Sequence, residues 1–298
     1  MKKENGIILV CLGHPYYSHM AFNLAVSIKY QDSTIPITVV KSGSSLDQLL
    51  PWQRGIFDNE VELDLNLIKR SGVVEYLKAK TLLYDLSPYE KTIYLDADTI
   101  LSERKKIGDL FSLTGVQFAN RGEMKDSSGI SQWVDIKVLF DTYKIDHWYD
   151  LSSEFIFFDR SALNKKFFND AKKYYDDDKI PVVTFEEKKK QGKTGITQFA
   201  GGKPDEVPFG IAIEKNNIRF QSPFQPSYWQ PQYFNKLKSD QDILNGYYMI
   251  SAGGNAVQQN IKRIYNNQTK YYFNQMGYKY TPYQLIAKSQ VIAERKSI

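Results

Sequence analysis

The sequence predicts an α/β fold: a mixed, mostly parallel sheet flanked by helices. Three observations carry that expectation. An apolar run, a helical run and a second apolar run follow one another within the first forty residues, the pattern of two parallel strands joined by a crossover helix. A later apolar run, Thr92-Ile93-Tyr94-Leu95, reads as a buried strand that stops at Asp96-Ala97-Asp98. At 298 residues the chain is long enough to bury a substantial core, and 42% hydrophobic against 24% charged residues is ordinary for a soluble globular protein.

Taken in order, Ile7 to Leu12 is the first strand, broken by Gly13, His14 and Pro15. Ser18 to Tyr30 places Met20, Leu24 and Ile28 at helical spacing. Ile35 to Val40 is the second strand. Val74 to Leu86 is expected to form a helix carrying Lys78 and Lys80, stopped by Ser87-Pro88. The Asp96 strand follows, then a strand from Val116 to Asn120 and a polar loop from Gly122 to Gly129. Residues 133–149 are aromatic-rich and read as irregular. Phe155 to Phe158 forms a short strand and Ala162 to Tyr175 a helix. Glu186 to Gly202, rich in lysine and glycine, is the candidate for a mobile loop. Pro204 to Lys215 is a helix opening on Asp205 and Glu206, acids favoured at a helix N-terminus. Ile218 to Phe220 and Tyr247 to Ile250 read as late strands, and helix-prone sequence begins near Gln258. With no internal repeat and no separating linker, the expected organisation is one domain over residues 1–255 and a C-terminal helical extension over 256–298.

Composition narrows the partners. A net charge of +5 favours an anionic ligand but falls short of a strong nucleic-acid footprint. With one cysteine, Cys11, no intramolecular disulfide forms and a reducing compartment fits. The first apolar run is too short for a signal peptide and no stretch approaches a membrane span, so the expected location is cytoplasmic. Twenty-one Tyr and 17 Phe suit a surface that grips sugars or bases, and equally a core.

Asp96 and Asp98 sit two apart on an extended chain, hence on one face. Ionised carboxylates at the end of an apolar strand are costly unless a positive group faces them, and a divalent cation is the natural one. Two hard oxygen ligands leave the shell of Mg²⁺ or Mn²⁺ open to water and phosphate oxygens, which is a device for holding a diphosphate.

These residues resemble the nucleotide-sugar-binding half of GT-A (Rossmann-like) glycosyltransferases, and glycogenin-like enzymes in particular. The shared features are the Asp-Ala-Asp-Thr after an apolar strand, a lysine sixteen residues earlier (Lys80), and the turn Leu86-Ser87-Pro88-Tyr89-Glu90-Lys91. Ser152-Ser153-Glu154 resembles the family's Asn-Ser/Ala-Gly strand, and Pro204-Asp205-Glu206 its Asp-Gln at a helix start. The resemblance implies an enzyme that uses Mn²⁺ or Mg²⁺ and a nucleotide-sugar donor, read as a UDP-sugar, to glycosylate a hydroxyl on a glycan or protein. Asp96 and Asp98 would hold the metal, with Asp96 also at the ribose, and Lys80 would contact the donor. Ser153 would line the donor site, Leu12 and Gly13 the base pocket, and Tyr16 or Tyr17 would stack on the base. Asp205 or Glu206 would be the catalytic carboxylate, with a retaining outcome favoured. The family's C-terminal histidine ligand has no counterpart, since His14, His19 and His147 all lie earlier. At the expected place Gly253 and Gly254 offer an anion-binding nest and Asn255 an oxygen ligand.

Other readings stand beside this one. A modified DNA base is an alternative acceptor for a basic, aromatic-rich chain. A haloacid-dehalogenase-like phosphatase also places Asp-x-Asp after a strand, with Asp176-Asp177-Asp178 imitating its late acidic pair. A non-catalytic nucleotide-sugar-binding protein is the third. Lys188-Lys189-Lys190 reads as a solvated face and His147 as structural.

Overall fold

Ile7, Ile8 and Leu9 are fully buried because strand β1 (Lys3–Cys11) lies between two parallel neighbours. The computed structural model describes residues 3–70, 72–124, 130–132, 134–180, 204–220, 224–228, 239–252 and 259–279. On one side of β1 run β2 (Ile37–Lys41) and then β3 (Asn59–Glu62), both parallel. On the other side runs β4 (Tyr89–Asp96), also parallel. A short strand β5 (Thr99–Leu101) follows the Asp96 turn, and β6 (Gln117–Met124) closes the far edge of the sheet. Between β4 and β6 lies β7 (Trp148–Asp159), antiparallel to both, giving the order β3-β2-β1-β4-β7-β6. Two late strands, β8 (Ser227–Tyr228) and β9 (Met249–Ser251), join β5 in a small second sheet.

The helices cover both faces. Helix α1 (Tyr16–Gln31) is the β1-to-β2 crossover, and every residue from Met20 to Ile28 is buried. Its outer side is covered by the last described helix. Helix α2 (Ile136–Tyr143) precedes β7, and α3 (Ala162–Tyr175) with α4 (Glu206–Lys215) packs on the opposite face. There Phe118, Phe167, Phe168 and Phe209 form one ring cluster, with Phe118 and Phe209 centroids 5.0 Å apart. Helix α5 (Asp240–Gly246) leads into β9, and α6 (Gln259–Gln275) lies on α1, where Phe22 meets Phe273 edge-on and Asn23 donates to the Tyr265 hydroxyl. Much of the aromatic content is therefore core: Tyr89, Tyr94, Tyr175, Tyr265 and Tyr272 are among the largest fully buried side chains. Among the described residues no helix is long and apolar enough to cross a membrane.

Several elements differ from the sequence expectation. The segment 74–86 is not one helix. It is a short strand, a 3₁₀ helix (Tyr76–Leu82) and a single α turn (Leu83–Leu86). Lys78 and Lys80 are both buried and held by acids on different elements, which breaks the amphipathic period. Residues 133–149 are not irregular: α2 forms because Ile136, Leu139, Phe140 and Tyr143 recur at helical spacing and Asp135 caps the Val138 N–H at 3.0 Å. The short strand expected at Phe155–Phe158 extends back to Trp148, with two register shifts against β6. Ile218 to Phe220 pairs with no strand among the described residues; Asn217 turns left-handed after α4 and Phe220 packs on Tyr149. The expected mobile loop at Glu186–Gly202 lies outside the described residues.

Two devices hold the Asp96 strand in place. Arg160, just after β7, donates to the backbone carbonyls of Tyr84, Ser87 and Tyr89 and stacks on the Tyr84 ring, fixing the turn that leads into β4. Gly6 faces Tyr89, whose hydroxyl bonds Thr38 at 2.7 Å; a Cβ at Gly6 would lie 2.4 Å from the ring. Gly6→Ala is expected to cost about 1–3 kcal/mol through this overlap. A thermal melt as high as the parent's would contradict that close approach.

Candidate active site

Val10 on β1 pairs with Asp96 on β4, so the two chains leave the sheet side by side: Leu12-Gly13 from one, Ala97-Asp98 from the other. Carboxyl ends of adjacent parallel strands are where open α/β sheets take ligands. Asp96 is anchored from two directions. Lys80 Nζ lies 2.9 Å from Oδ1 and 3.2 Å from Oδ2, and the Tyr94 hydroxyl, two residues back on the same strand face, donates to Oδ1. Lys80 is buried and also sits 3.2 Å from Asp205 Oδ2, at the N-terminus of α4. It donates to Ser153 Oγ at 3.0 Å, and that hydroxyl donates onward to Glu206 Oε1 at 3.2 Å.

The structure thus brings Lys80, Asp96, Ser153, Asp205 and Glu206 into one network, with Asp98 beside it. Leu12 is buried at the mouth of β1. Gly13 is exposed, at φ +79° in the left-handed region, with the Tyr76 ring beside it. Tyr16 and Tyr17 open α1 on the same edge, Tyr16 half-buried against the core and Tyr17 exposed. Gly253, Gly254 and Asn255 lie outside the described residues.

Sequence reasoning assigned no role to Glu154 or Tyr94. The β7–β4 ladder ends at Phe155 opposite Leu95, and Glu154, the next residue, lies close enough to Asp96 and Asp98 to feel both charges. Glu154 accepts from Ser251 Oγ at 3.0 Å and from Ser227 Oγ at 3.1 Å. An ionisable residue directly before Phe155-Ile156-Phe157-Phe158 was the available signal.

Among the described residues, five carboxylates therefore share the neighbourhood of one ammonium. Burial pulls the Lys80 ammonium down, but Asp205 and Asp96 more than reverse this and hold it well above the ordinary lysine range. The acids move the other way. Burial, then repulsion from Asp96, pushes Asp98 up to about 7. Burial with Asp96 and Asp98 pushes Glu154 up to about 8, and burial with Asp205 pushes Glu206 up to about 8. Among the described residues Asp98 Oδ1 is buried and accepts no hydrogen bond. An orphaned carboxylate oxygen in an acid-rich recess fits a hard divalent cation.

A pH dependence follows. Acids with raised pKa values bind more protons folded than unfolded, so their stabilising contribution is complete below the ordinary carboxylate range and is lost as pH rises through 7 to 8. In the presence of a chelator the melting temperature should fall from about pH 5 to about pH 8.5. Added Mn²⁺ should stabilise increasingly over the same range, because ligation needs the ionised forms. A melting temperature that rises with pH in chelator would contradict the charge excess.

A second group with metal-ligand chemistry lies at the start of β7. Among the described residues, Asp146, His147 and Glu214 are the three whose ligand atoms all fall within 4.8 Å of one another. His147 Nδ1 contacts the Glu214 carboxylate and Nε2 lies 3.4 Å from Glu123, at a cleft of about 250 Å³ that Arg219 also lines. Arg219 already supplies a cation to Glu214 at 3.2 Å, and the Asp146 side chain is 98% exposed.

No protein-family model and no curated protein matches the chain. Among solved structures, the apo form of WbbM, a bifunctional glycosyltransferase, is similar at TM-score 0.55 and 12% identity over 92% of this chain. The chain has the GT-A glycosyltransferase fold. It spans 52% of the length of WbbM. A structure of the galactosyltransferase LgtC with donor and acceptor sugar analogues is similar at TM-score 0.49 and 11% identity, covering 93% of this chain and 97% of that one. An active-site mutant of LgtC gives TM-score 0.46 and 12% identity, covering 89% and 95%. In this GT-A fold the sheet changes direction between β4 and β7, and Asp96 stands at that change.

Proposed function

We propose that the chain is a metal-dependent glycosyltransferase, passing a sugar from a UDP-sugar to a hydroxyl on a glycan or protein. The observation that carries this reading is the acid-rich recess at the carboxyl end of β4, where Asp98 Oδ1 is buried without a hydrogen-bond donor among the described residues. Asp96 and Asp98 are the residues that would hold Mn²⁺ or Mg²⁺, and the cation's contribution is to neutralise charge on the departing diphosphate. The glycogenin-like resemblance supports the same assignment.

The chain's own groups then divide the work. Lys80, already fixed by Asp96 and Asp205, presents a buried positive charge beside the diphosphate position. Leu12 and Gly13 would border the base, with Tyr16 or Tyr17 against its face; Gly253 and Gly254 would serve the phosphate oxygens and Asn255 the metal. Asp205 is 2% exposed and paired with Lys80, which makes it a positioning residue. Glu206 is half-buried, tied to Ser153 and raised to about 8, and is our choice for the carboxyl that faces the reacting sugar. Both acids are engaged by the Lys80–Ser153 network, which favours a retaining outcome in which the departing diphosphate oxygen takes the acceptor proton. The buried, reduced Cys11 accords with a cytoplasmic setting.

The test is a screen of common nucleotide sugars with Mn²⁺, read as nucleotide release, run beside Asp98→Ala. Metal-dependent release by the parent alone supports the reading. Binding of donor without release from any of them would make the chain a nucleotide-sugar-binding protein. Acceptor panels of oligosaccharides, peptides and hydroxymethylated DNA separate the acceptor classes.

A further inference from the structure

We propose that Asp146, His147 and Glu214 form a second cation site, of a kind suited to Zn²⁺, that ties the end of α4 to the start of β7; it is independent of the sugar-transfer reading. His147 lies directly before β7, and Glu214 is the last-but-one residue of α4, whose opposite end carries Glu206. The three side chains present ligand atoms that all fall within 4.8 Å of one another. Zn²⁺ holds imidazole nitrogen and carboxylate oxygen at about 2.0–2.2 Å, so two ligands of one tetrahedral ion stand about 3.4 Å apart. His147 Nδ1 and Asp146 Oδ1 are 3.6 Å apart, and Nδ1 contacts Glu214 Oε2 directly. That nearer contact holds a proton between nitrogen and carboxylate, which ion binding releases as the two side chains part.

The surroundings are those of a ligand set rather than of a simple ion pair. Imidazole ligands characteristically donate their other nitrogen to a carboxylate, which fixes the ring and raises its basicity. Here Nε2 lies 3.4 Å from Glu123 Oε1, and the Tyr149 ring stands edge-on to the imidazole at 5.3 Å. Arg219 reaches Glu214 through the other oxygen, Oε1, at 3.2 Å and leaves Oε2 to the histidine. Three carboxylates thus face one imidazole. Burial raises the Glu214 carboxyl to about 7 against the pull of Arg219, and Asp146 and Glu123 add to the rise. His147 and Glu214 are buried, whereas Asp146 stands exposed at the rim of the cleft of about 250 Å³. An ion can enter there, and water can take its fourth position. One turn earlier on α4, a Cβ at Gly210 would lie 2.4 Å from the Trp148 indole, so the helix is pressed onto the start of β7.

The test is Zn²⁺ binding by the full chain carrying Asp98→Ala, which removes a carboxylate from the Asp96 recess, after chelator treatment and dialysis. Retained Zn²⁺, a higher melting temperature on adding it, and an intense visible absorption band with Co²⁺ in its place are expected. In that background Glu123→Gln, which changes only the outer partner, should weaken Zn²⁺ about tenfold or more. His147→Gln should weaken it by a larger factor. Asp146→Asn, at an exposed position whose loss leaves the core intact, should weaken it as well. Parental Zn²⁺ affinity in either Asp146→Asn or His147→Gln would overturn the inference, and so would a chain that retains no Zn²⁺. Neither result touches the sugar-transfer reading, which is tested by Mn²⁺-dependent nucleotide release at the other site.

Discussion

Asp98→Ala is expected to lower metal-dependent nucleotide release by about 10²–10⁴-fold, the range that corresponds to several kcal/mol of lost charge stabilisation on the leaving group. The same change should leave the chelator-treated protein as stable as the parent or more so. Asp98 Oδ1 is buried with no donor, and burial with Asp96 holds its carboxyl near 7, so the metal-free fold gains little from its charge. Initial rates at saturating Mn²⁺, with melting curves in chelator, measure both effects. Release within tenfold of the parent would remove Asp98 from the machinery.

Lys80→Met should act in the opposite direction on stability. Removing the one ammonium leaves Asp96 and Asp205 facing each other without compensation, and breaking buried pairs of this kind costs about 3–5 kcal/mol. The deficit should be largest near pH 8 and shrink toward pH 5, as protonation of the remaining acids replaces the lost charge. Urea denaturation at the two pH values reads this directly, and equal stability of variant and parent at pH 8 would refute it. Lys80→Arg is not a conservative repair: a planar fork does not reproduce a point charge bound to Asp96, Asp205 and Ser153 together. Two substitutions in one site thus shift metal-free stability with opposite signs, a signature of excess negative charge rather than of general packing damage.

What the sequence disclosed followed period and punctuation. The first βαβ unit was legible because Ile7–Leu12 and Ile35–Val40 are short apolar runs around a helical stripe; β2 lies within two residues of its expected bounds, whereas β1 ends within one residue but begins at Lys3, four residues earlier. The Asp96 strand was legible for the same reason. Residues 74–86 misled because a lysine pair buried against distant acids looks, in sequence, like the polar face of a helix. Trp133 to Tyr149 misled because aromatic density masked a four-position helical stripe beginning at Ile136. At the site, neighbours along the chain were readable, whereas Glu154 acquires its meaning from strands that meet it only in three dimensions.

That last point reaches into how the protein is made. The aspartate pair emerges early in synthesis, yet the nearby Glu154 carboxylate is held by hydroxyls 73 and 97 residues further on than itself, and α1 is covered by a helix whose Tyr265 lies 242 residues beyond Asn23. A half-made chain carries the acids without the frame that organises them. Such long-range closure belongs to the slow, final stage of folding. Under the metal-dependent reading, the acid recess would be complete only once the strand bearing Ser251, whose neighbour Ala252 bonds the Asp98 carbonyl, has locked into place.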